Sequence, residues 1–275
     1  GEAYQALANS SYVRLQEEPA ARGEIVDRYG RPLAVNRVGY NITFDRAFLP
    51  QGEENEVILR LIEIMEGTED EWIDRLPITL QEPFAYLEGY EGQVTRLKNR
   101  LGLGEYATAQ DAMHWLTDRY GLEDYTPEEA RKIAAVRYEM EQQGFNLSTP
   151  YTFAEDVQSS TMIKVEERGF ELPGVGATQS AVREYVEPDL APHLIGQIGP
   201  IYAEELEQLQ DEGYSGTDLI GKSGIEQAYE EELRGTDGTR QITVSSTGDI
   251  LDITTTKEPI PGNTIMLTID RDLQR

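Results

Sequence analysis

The spacing of apolar and polar residues divides the chain into three textures. EAYQALANSSYVRLQEEP, residues 2–19, reads as a helix followed by an extended stretch. RGEIVDRYGRPLAVNRVGYNITFD then alternates apolar and polar residues around Tyr29-Gly30-Arg31-Pro32, which predicts strand, turn, strand. From about residue 53 to 145 the period lengthens: EENEVILRLIEIMEG places Val57, Leu61 and Ile64 at helical spacing, and QDAMHWLTDRYG and TPEEARKIAAVRYEMEQQG carry similar stripes. The last of these opens with Thr126 as N-cap, Pro127 at the first helical position and Glu129 completing a capping box. Strand-like text returns with FNLSTPYTF, followed by a helix from about Asp156 to Arg168 and the stretch GFELPGVGATQSAVREYVEP. Short helices are expected in LAPHLIGQIG and YAEELEQLQDEG. The last forty residues hold RQITVSS, ILDITTT and TIMLTID, separated by turn signals that include PIPGN, and read as a small β-meander. The pattern therefore predicts an α+β protein: a discontinuous β-meander module with short helices, residues 1–48 and 150–275, interrupted by a mainly helical insertion, residues 49–149.

Composition narrows the chemistry. With 275 residues, 39% of them hydrophobic, the chain can fill a real core. Its 51 acidic and 24 basic residues give a formal charge of −27, so the average surface repels a phosphate backbone and nucleic acid is not an expected partner. The acidic residues are spread along the chain, as on a well-solvated surface. The absence of cysteine excludes disulfides, thiolate metal sites and cysteine nucleophiles, and leaves the compartment open between cytosol and cell exterior. The two histidines, His114 and His193, lie far apart, which leaves little material for a histidine metal centre or a Ser-His-Asp triad. His114, among Met113, Trp115 and Leu116, reads as a packed or rim residue, and His193, beside Leu194 and Ile195, as structural. No apolar run approaches the roughly 18 residues needed to span a bilayer. The abrupt ends at Gly1 and Arg275 read as those of a piece of a longer chain.

One stretch invites a sharper reading. GTDLIGKS, Gly216 to Ser223, fits the phosphate-binding pattern G-x-x-x-x-G-K-[ST]. A working P-loop needs a buried strand running into its first glycine, but EELEQLQDEGYS precedes it, polar and helical in pattern. The following helix should offer a positive amino terminus to a polyphosphate, yet it carries Glu226, Glu230, Glu231 and Glu232. A structural reading accounts for the same letters: Ser223 and Glu226 form a capping box, Ile225, Ala228, Tyr229 and Leu233 make an apolar stripe, and Gly235 stops the helix in a left-handed conformation.

Lys222-Ser223-Gly224 also resembles the K-T-G triplet of penicillin-recognising transpeptidases, which further require S-x-x-K and S-x-N elements. No serine here has lysine three residues later or asparagine two later; Ser160 comes nearest, with Lys164 four residues on. The chain does not carry a complete transpeptidase site. Four longer segments nevertheless resemble that enzyme family by another route. RGEIVDRYGRPLAVN, Arg22 to Asn36, is similar to the first motif of the non-catalytic amino-terminal module of class B penicillin-binding proteins. REYVEPDLAPHLIGQIG, Arg183 to Gly199, resembles the second, although Val-Glu-Pro follows Tyr185 where the family usually has proline at once. GKSGIEQAYEEELRGTDG, Gly221 to Gly238, is similar to the third, and PGNTIMLTIDRDLQ, Pro261 to Gln274, to the strand that leads into the transpeptidase domain. The motifs stand in family order, and the resemblance is nearest to elongation-type, cell-shape members.

The resemblance implies a parent protein anchored by one transmembrane helix before residue 1, with this module on the outer face of the bacterial cytoplasmic membrane and a serine-type D,D-transpeptidase domain after Arg275. The module would be a pedestal, residues 49–149 its mobile head. It would contact a SEDS-family glycosyltransferase and other cell-wall elongation proteins, and the family's dimerisation label implies a homodimer. No cofactor or metal is expected. The motif residues singled out are Arg22, Gly23, Asp27, Arg28, Gly30, Arg183, Tyr185, His193, Gly196, Gly221, Ser223, Gly224, Glu226 and Gly235. Asp27, Arg28 and Gly30 specify a strand-to-turn transition. Arg22 and Arg183 are candidates to pair with Glu226 through carboxylate contacts, against the alternative of three separately solvated charges. The rival reading is an independent acidic enzyme, nucleotide-binding through GTDLIGKS or a carboxylate hydrolase.

Overall fold

A computed structural model describes residues 11–147, 149–187, 189, 192–216, 218–244 and 250–273. The helix expected within residues 2–10 lies outside them. The chain forms two compact units, one of residues 1–39 with 179–275 and the other of residues 40–178. Helix and strand are mixed throughout, an α+β architecture.

The unit of residues 40–178 is built on helices α1 (Glu54–Glu66), α2 (Glu91–Leu101), α3 (Ala109–Tyr120), α4 (Pro127–Gln142) and α5 (Ser159–Glu167). The stripe Val57, Leu61, Ile64 is buried, and Ile58, Ile62 and Met65 widen it into a face that packs on α4. Thr126 caps α4 as its sequence predicts: its side chain accepts from the Glu129 amide, and the Glu129 side chain returns to the Thr126 amide. Thr108 and Asp111 form a second capping box at α3. The carboxyl half of β3 (Pro32–Phe44) pairs with β4 (Tyr151–Ala154), Ile42 opposite Ala154 and Phe44 opposite Tyr151. Phe44 and Phe153 meet edge to face, Trp72 stacks on Phe153, and all join the helices in one core. Arg131 on α4 is nearly fully buried, and five hydrogen bonds, to Asp74, Leu76 O and Ile78 O, consume its guanidinium. His114 is exposed, facing Asp118 one turn on.

The other unit has smaller apolar cores. Among the described residues, Ile25, Leu33, Ala34, Ile195 and Leu233 form one, and Ile201, Tyr214 and Ile220 another. The expected meander is not formed. β8 (Gly238–Val244) pairs with β9 (Ile250–Lys257), but its other neighbour is β1 (Tyr12–Glu18). The third expected run yields only β10 (Ile265–Met266), which lies parallel to β2 (Ile25–Val26) in a different sheet, beside the start of β3. The cause is visible at the glycines. A side chain on Gly23 would sit 1.9 Å from Asn263 O and one on Gly262 1.9 Å from Leu233 O, so only bare backbone lets the 260–263 turn press onto Gly23, just before β2, and onto Leu233. β5 (Val175–Tyr185) ends in this unit, and β6 (Ile198–Pro200) and β7 (Leu219–Gly221) form a short antiparallel pair. Among the described residues, four short α-helices complete it: α6 (Pro192–Ile195), α7 (Ala203–Leu209), α8 (Gly224–Ala228) and α9 (Glu230–Arg234).

Candidate functional site

Arg22, Arg183, Tyr185 and the turn around Gly30 gather about two carboxylates, Glu226 and Asp27, of the unit containing residues 1–39 and 179–275. Both have no exposed surface, which requires each to be fully compensated.

The first is Glu226 on α8. Its Oε2 accepts from Arg22 Nε at 2.7 Å and its Oε1 from Arg183 Nε at 2.8 Å. Arg22 also reaches Glu226 O at 3.0 Å and Glu230 Oε2 at 2.7 Å, and the Gly221 amide donates to the same Glu230 oxygen at 2.8 Å. Arg183 continues to Gly23 O at 2.8 Å and Asn36 Oδ1 at 3.3 Å, while Asn36 Nδ2 donates to Arg22 O. Tyr185 places its hydroxyl 3.4 Å from Glu226 Oε1 and accepts from the Ile198 amide. Burial and then the Glu226 charge push this phenol up to about 12. Two arginines and two glutamates neutralise one another, and segments more than 200 residues apart share one hydrogen-bonded node.

The pairing of Arg22 and Arg183 with Glu226 is thus formed, and the alternative of three solvated charges is not. It displaces the expected capping box: the Glu226 carboxylate turns to the arginines and not to the Ser223 amide, and Ser223 makes no side-chain cap on α8. Ser223 Oγ instead accepts from the Gln197 amide. The expected single helix breaks at Tyr229 into α8 and α9. Gly235 follows α9 with φ +77° but an extended ψ of −161°, so it ends the helix as a sharp bend, not a left-handed cap. Gly221, Gly196 and Gly224 are points of close approach. A side chain on Gly221 would lie 2.0 Å from Glu226 O, and one on Gly196 2.0 Å from Ser223 O.

The second carboxylate, Asp27, organises the turn after β2. Its Oδ1 accepts from the Tyr29 and Arg31 amides, both at 2.9 Å, and its Oδ2 from Arg31 Nε at 2.7 Å and the Arg271 amide at 3.1 Å. Burial opposes its charge, but the Arg31 guanidinium and the amides of Arg31, Arg271 and Tyr29 outweigh that and hold the carboxyl well below the usual range. Gly30 takes φ +77° in this turn. Arg28 stands outside the carboxylate cluster, exposed, its guanidinium over the Tyr29 ring and its amide bonded to Ile269 O. His193 is also exposed, and the apolar pair beside it is split: Ile195 is buried while Leu194 is 41% exposed.

Sequence reasoning missed Glu230, Asn36, Arg31, Asp270, Arg271 and Asp272 as parts of these clusters. Arg31 shares a turn with Asp27, and the last three lie in the quoted IDRDL run, but nothing local pairs positions some 240 residues apart. Among the described residues no group of histidine, aspartate and glutamate has metal-binding geometry. Lys222 of GTDLIGKS lies over the Tyr202 ring and bonds Glu205 at 2.5 Å.

Fold and clusters together define an α+β module whose distant segments are tied at two buried carboxylates. The penicillin-binding protein dimerisation domain matches residues 17–267, and the chain belongs to that family. The resemblance drawn from the four motifs is borne out. The chain is 26% identical over 271 residues to the peptidoglycan D,D-transpeptidase MrdA of Acinetobacter baumannii, covering 98% of this chain and 31% of that protein. It is 27% identical over 289 residues to penicillin-binding protein 2A of Bacillus subtilis, covering 100% and 39%. The solved structure of penicillin-binding protein 2B from Streptococcus pneumoniae matches with a TM-score of 0.61 at 25% identity, covering 96% of this chain and 42% of that one. In a Helicobacter pylori complex of penicillin-binding protein PBP2 with MreC, a chain shares the fold with a TM-score of 0.56 at 18% identity, covering 96% and 37%. The chain spans about a third to two-fifths of the length of these relatives.

Proposed function

We propose that this chain is the pedestal of a class B, elongation-type penicillin-binding protein, with residues 1–48 and 150–275 forming the pedestal and 49–149 its head. The observation that carries this reading is the pairing of entry and exit. β2 and β10 run parallel, Ile265 opposite Ile25, and both ends are tied to buried carboxylates. A chain held so firmly where it enters and leaves fixes the direction of a domain attached at its exit, which is the mechanical requirement of a pedestal. In the parent protein that domain is a transpeptidase with an acyl-forming serine, cross-linking stem peptides of peptidoglycan on the outer face of the cytoplasmic membrane. The pedestal sets its height and orientation and contacts a SEDS-family glycosyltransferase and other elongation proteins. It also forms a homodimer.

The nucleotide-binding alternative has a specific observation against it. Lys222, the lysine that would reach phosphate, is engaged by Glu205 and Tyr202, and the Gly221 amide, which would cradle phosphate, is spent on Glu230. The partner claim is tested by co-purifying the native protein with its glycosyltransferase from detergent-solubilised membranes. Retention after the acylating serine is replaced, and loss when residues 11–273 are exchanged for an unrelated module, support the pedestal reading. Retention after the exchange contradicts it.

A further inference from the structure

Around Asp27 the entry turn and the exit segment are joined by more than a strand pair. Arg28 N donates to Ile269 O at 3.0 Å, the Arg271 amide to Asp27 Oδ2 at 3.1 Å, and Arg271 Nη1 to Pro32 O at 3.3 Å. Leu267 N donates to Val26 O and Ile265 N to Glu24 O, both at 2.8 Å. Arg31 sits at the centre. Its guanidinium bonds Asp27, Asp270 and Asp272 together, and it lies 5.2 Å from the centre of the Tyr29 ring. Arg271 adds a contact to Glu187 at 3.4 Å.

The two halves of this arrangement differ in kind. Asp27, Tyr29, Gly30 and Arg31 are close in sequence, and the turn closes on itself: Asp27 N donates to Arg31 O at 2.9 Å and Gly30 N to Asp27 O at 3.0 Å. The other half, Asp270 to Asp272, has one local bond, from the Asp272 amide to Asp270 Oδ1 at 3.0 Å, takes its other bonds from the 27–32 turn, and leaves Asp272 62% exposed. The planar fork of an arginine can bridge several carboxylates at fixed angles, which the compact ammonium of lysine cannot. Without Arg31, Asp27, Asp270 and Asp272 would face one another as like charges with backbone amides but no guanidinium between them.

We infer that Arg31 is a positioning residue: it latches the exit segment 269–272 onto the preformed 27–31 turn and so sets the direction in which the chain leaves the module. The entry turn is the fixed jaw and the exit segment the releasable one. That the latch orients a following domain rests on the pedestal reading; that it holds residues 269–272 does not.

The test is hydrogen exchange by mass spectrometry on the native protein, comparing wild type with Arg31→Met, Arg31→Lys and Asp272→Asn. Arg31→Met is expected to accelerate exchange in peptides covering residues 265–273 by roughly tenfold or more. Peptides reporting the Gly23 to Leu233 hydrogen bond should be unchanged, as they belong to the Glu226 node. Arg31→Lys should recover only part of the protection, and Asp272→Asn, which leaves the buried pair intact, should give a smaller local acceleration in a folded protein. Unchanged exchange at 269–272 in all three variants would overturn the latch, as would a uniform acceleration across the unit. Should Arg31→Met not fold, Asp272→Asn decides between these results. In parallel, small-angle scattering of the native protein is expected to show a broader distribution of dimensions for the latch variants, with β-lactam acylation unchanged. Exchange that responds while scattering does not would keep the latch and remove its link to a following domain.

Discussion

Replacing Glu226 by Gln tests the node on which three of the four motifs meet. The substitution keeps the shape but exchanges one acceptor oxygen for an amide donor, which must then face Arg22 Nε or Arg183 Nε. Arg22 retains Glu230 at 2.7 Å, whereas Arg183, 2% exposed, keeps only the neutral acceptors Gly23 O and Asn36 Oδ1. Removing one partner of a buried ion pair costs about 3–5 kcal/mol, and the surviving Arg22–Glu230 pair places Glu226→Gln near the lower end, about 3 kcal/mol. At about 2–4 °C per kcal/mol this lowers the melting of that unit by roughly 6–12 °C. The assay is urea and thermal unfolding followed by circular dichroism, extended to a double-mutant cycle with Arg183→Met. The cycle should return a coupling energy of about 1–3 kcal/mol. A change within about 0.5 kcal/mol with coupling near zero, as for an exposed pair, would refute the reasoning.

Other consequences can be checked with the same methods. Gly221→Ala places a methyl 2.0 Å from Glu226 O, where backbone cannot yield cheaply, so a loss of about 2–3 kcal/mol is expected in urea unfolding. Thr126→Ala should cost about 1 kcal/mol by removing a formed cap, whereas Ser223→Ala, which removes none, should cost clearly less; equal losses would contradict the assignment of caps. Asp27 has a depressed folded-state pKa, so its contribution is fully present above its unfolded value of about 3.9 and is lost as pH falls below it. The slope of stability between about pH 4 and 2 should accordingly shrink in Asp27→Asn, and an unchanged slope would remove Asp27 from the acid response. Magnesium with ATP should leave the melting temperature unmoved, and a dose-dependent rise would revive the P-loop reading.

How far the sequence discloses an element depends on how local its cause is. The stripe Val57, Leu61, Ile64 and the Thr126 cap are readable because helix period and capping are settled within a few residues. α2 escapes such a reading, since among its residues only Leu97 and Leu101 are buried and its stripe is faint. The meander fails because β10 is two residues long and takes its partner from β2, a choice made by the bare backbone at Gly23 and Gly262. Ser223 and Glu226 carry the letters of a capping box, but two arginines from distant segments outcompete a local bond for the same carboxylate. The Glu226 node is legible only in part: the charges at 22, 183 and 226 stand out in the motifs, while Glu230 and Asn36 do not. The Asp27 turn is visible, but its hold on residues 270–272 requires the tertiary fold.

A pedestal carries its acylating serine on another domain, so covalent labelling with a fluorescent penicillin is run side by side on this chain and on the native protein from membranes. Label is expected on the native protein alone, at a serine outside residues 1–275. Label on the isolated chain, or on neither, would contradict it.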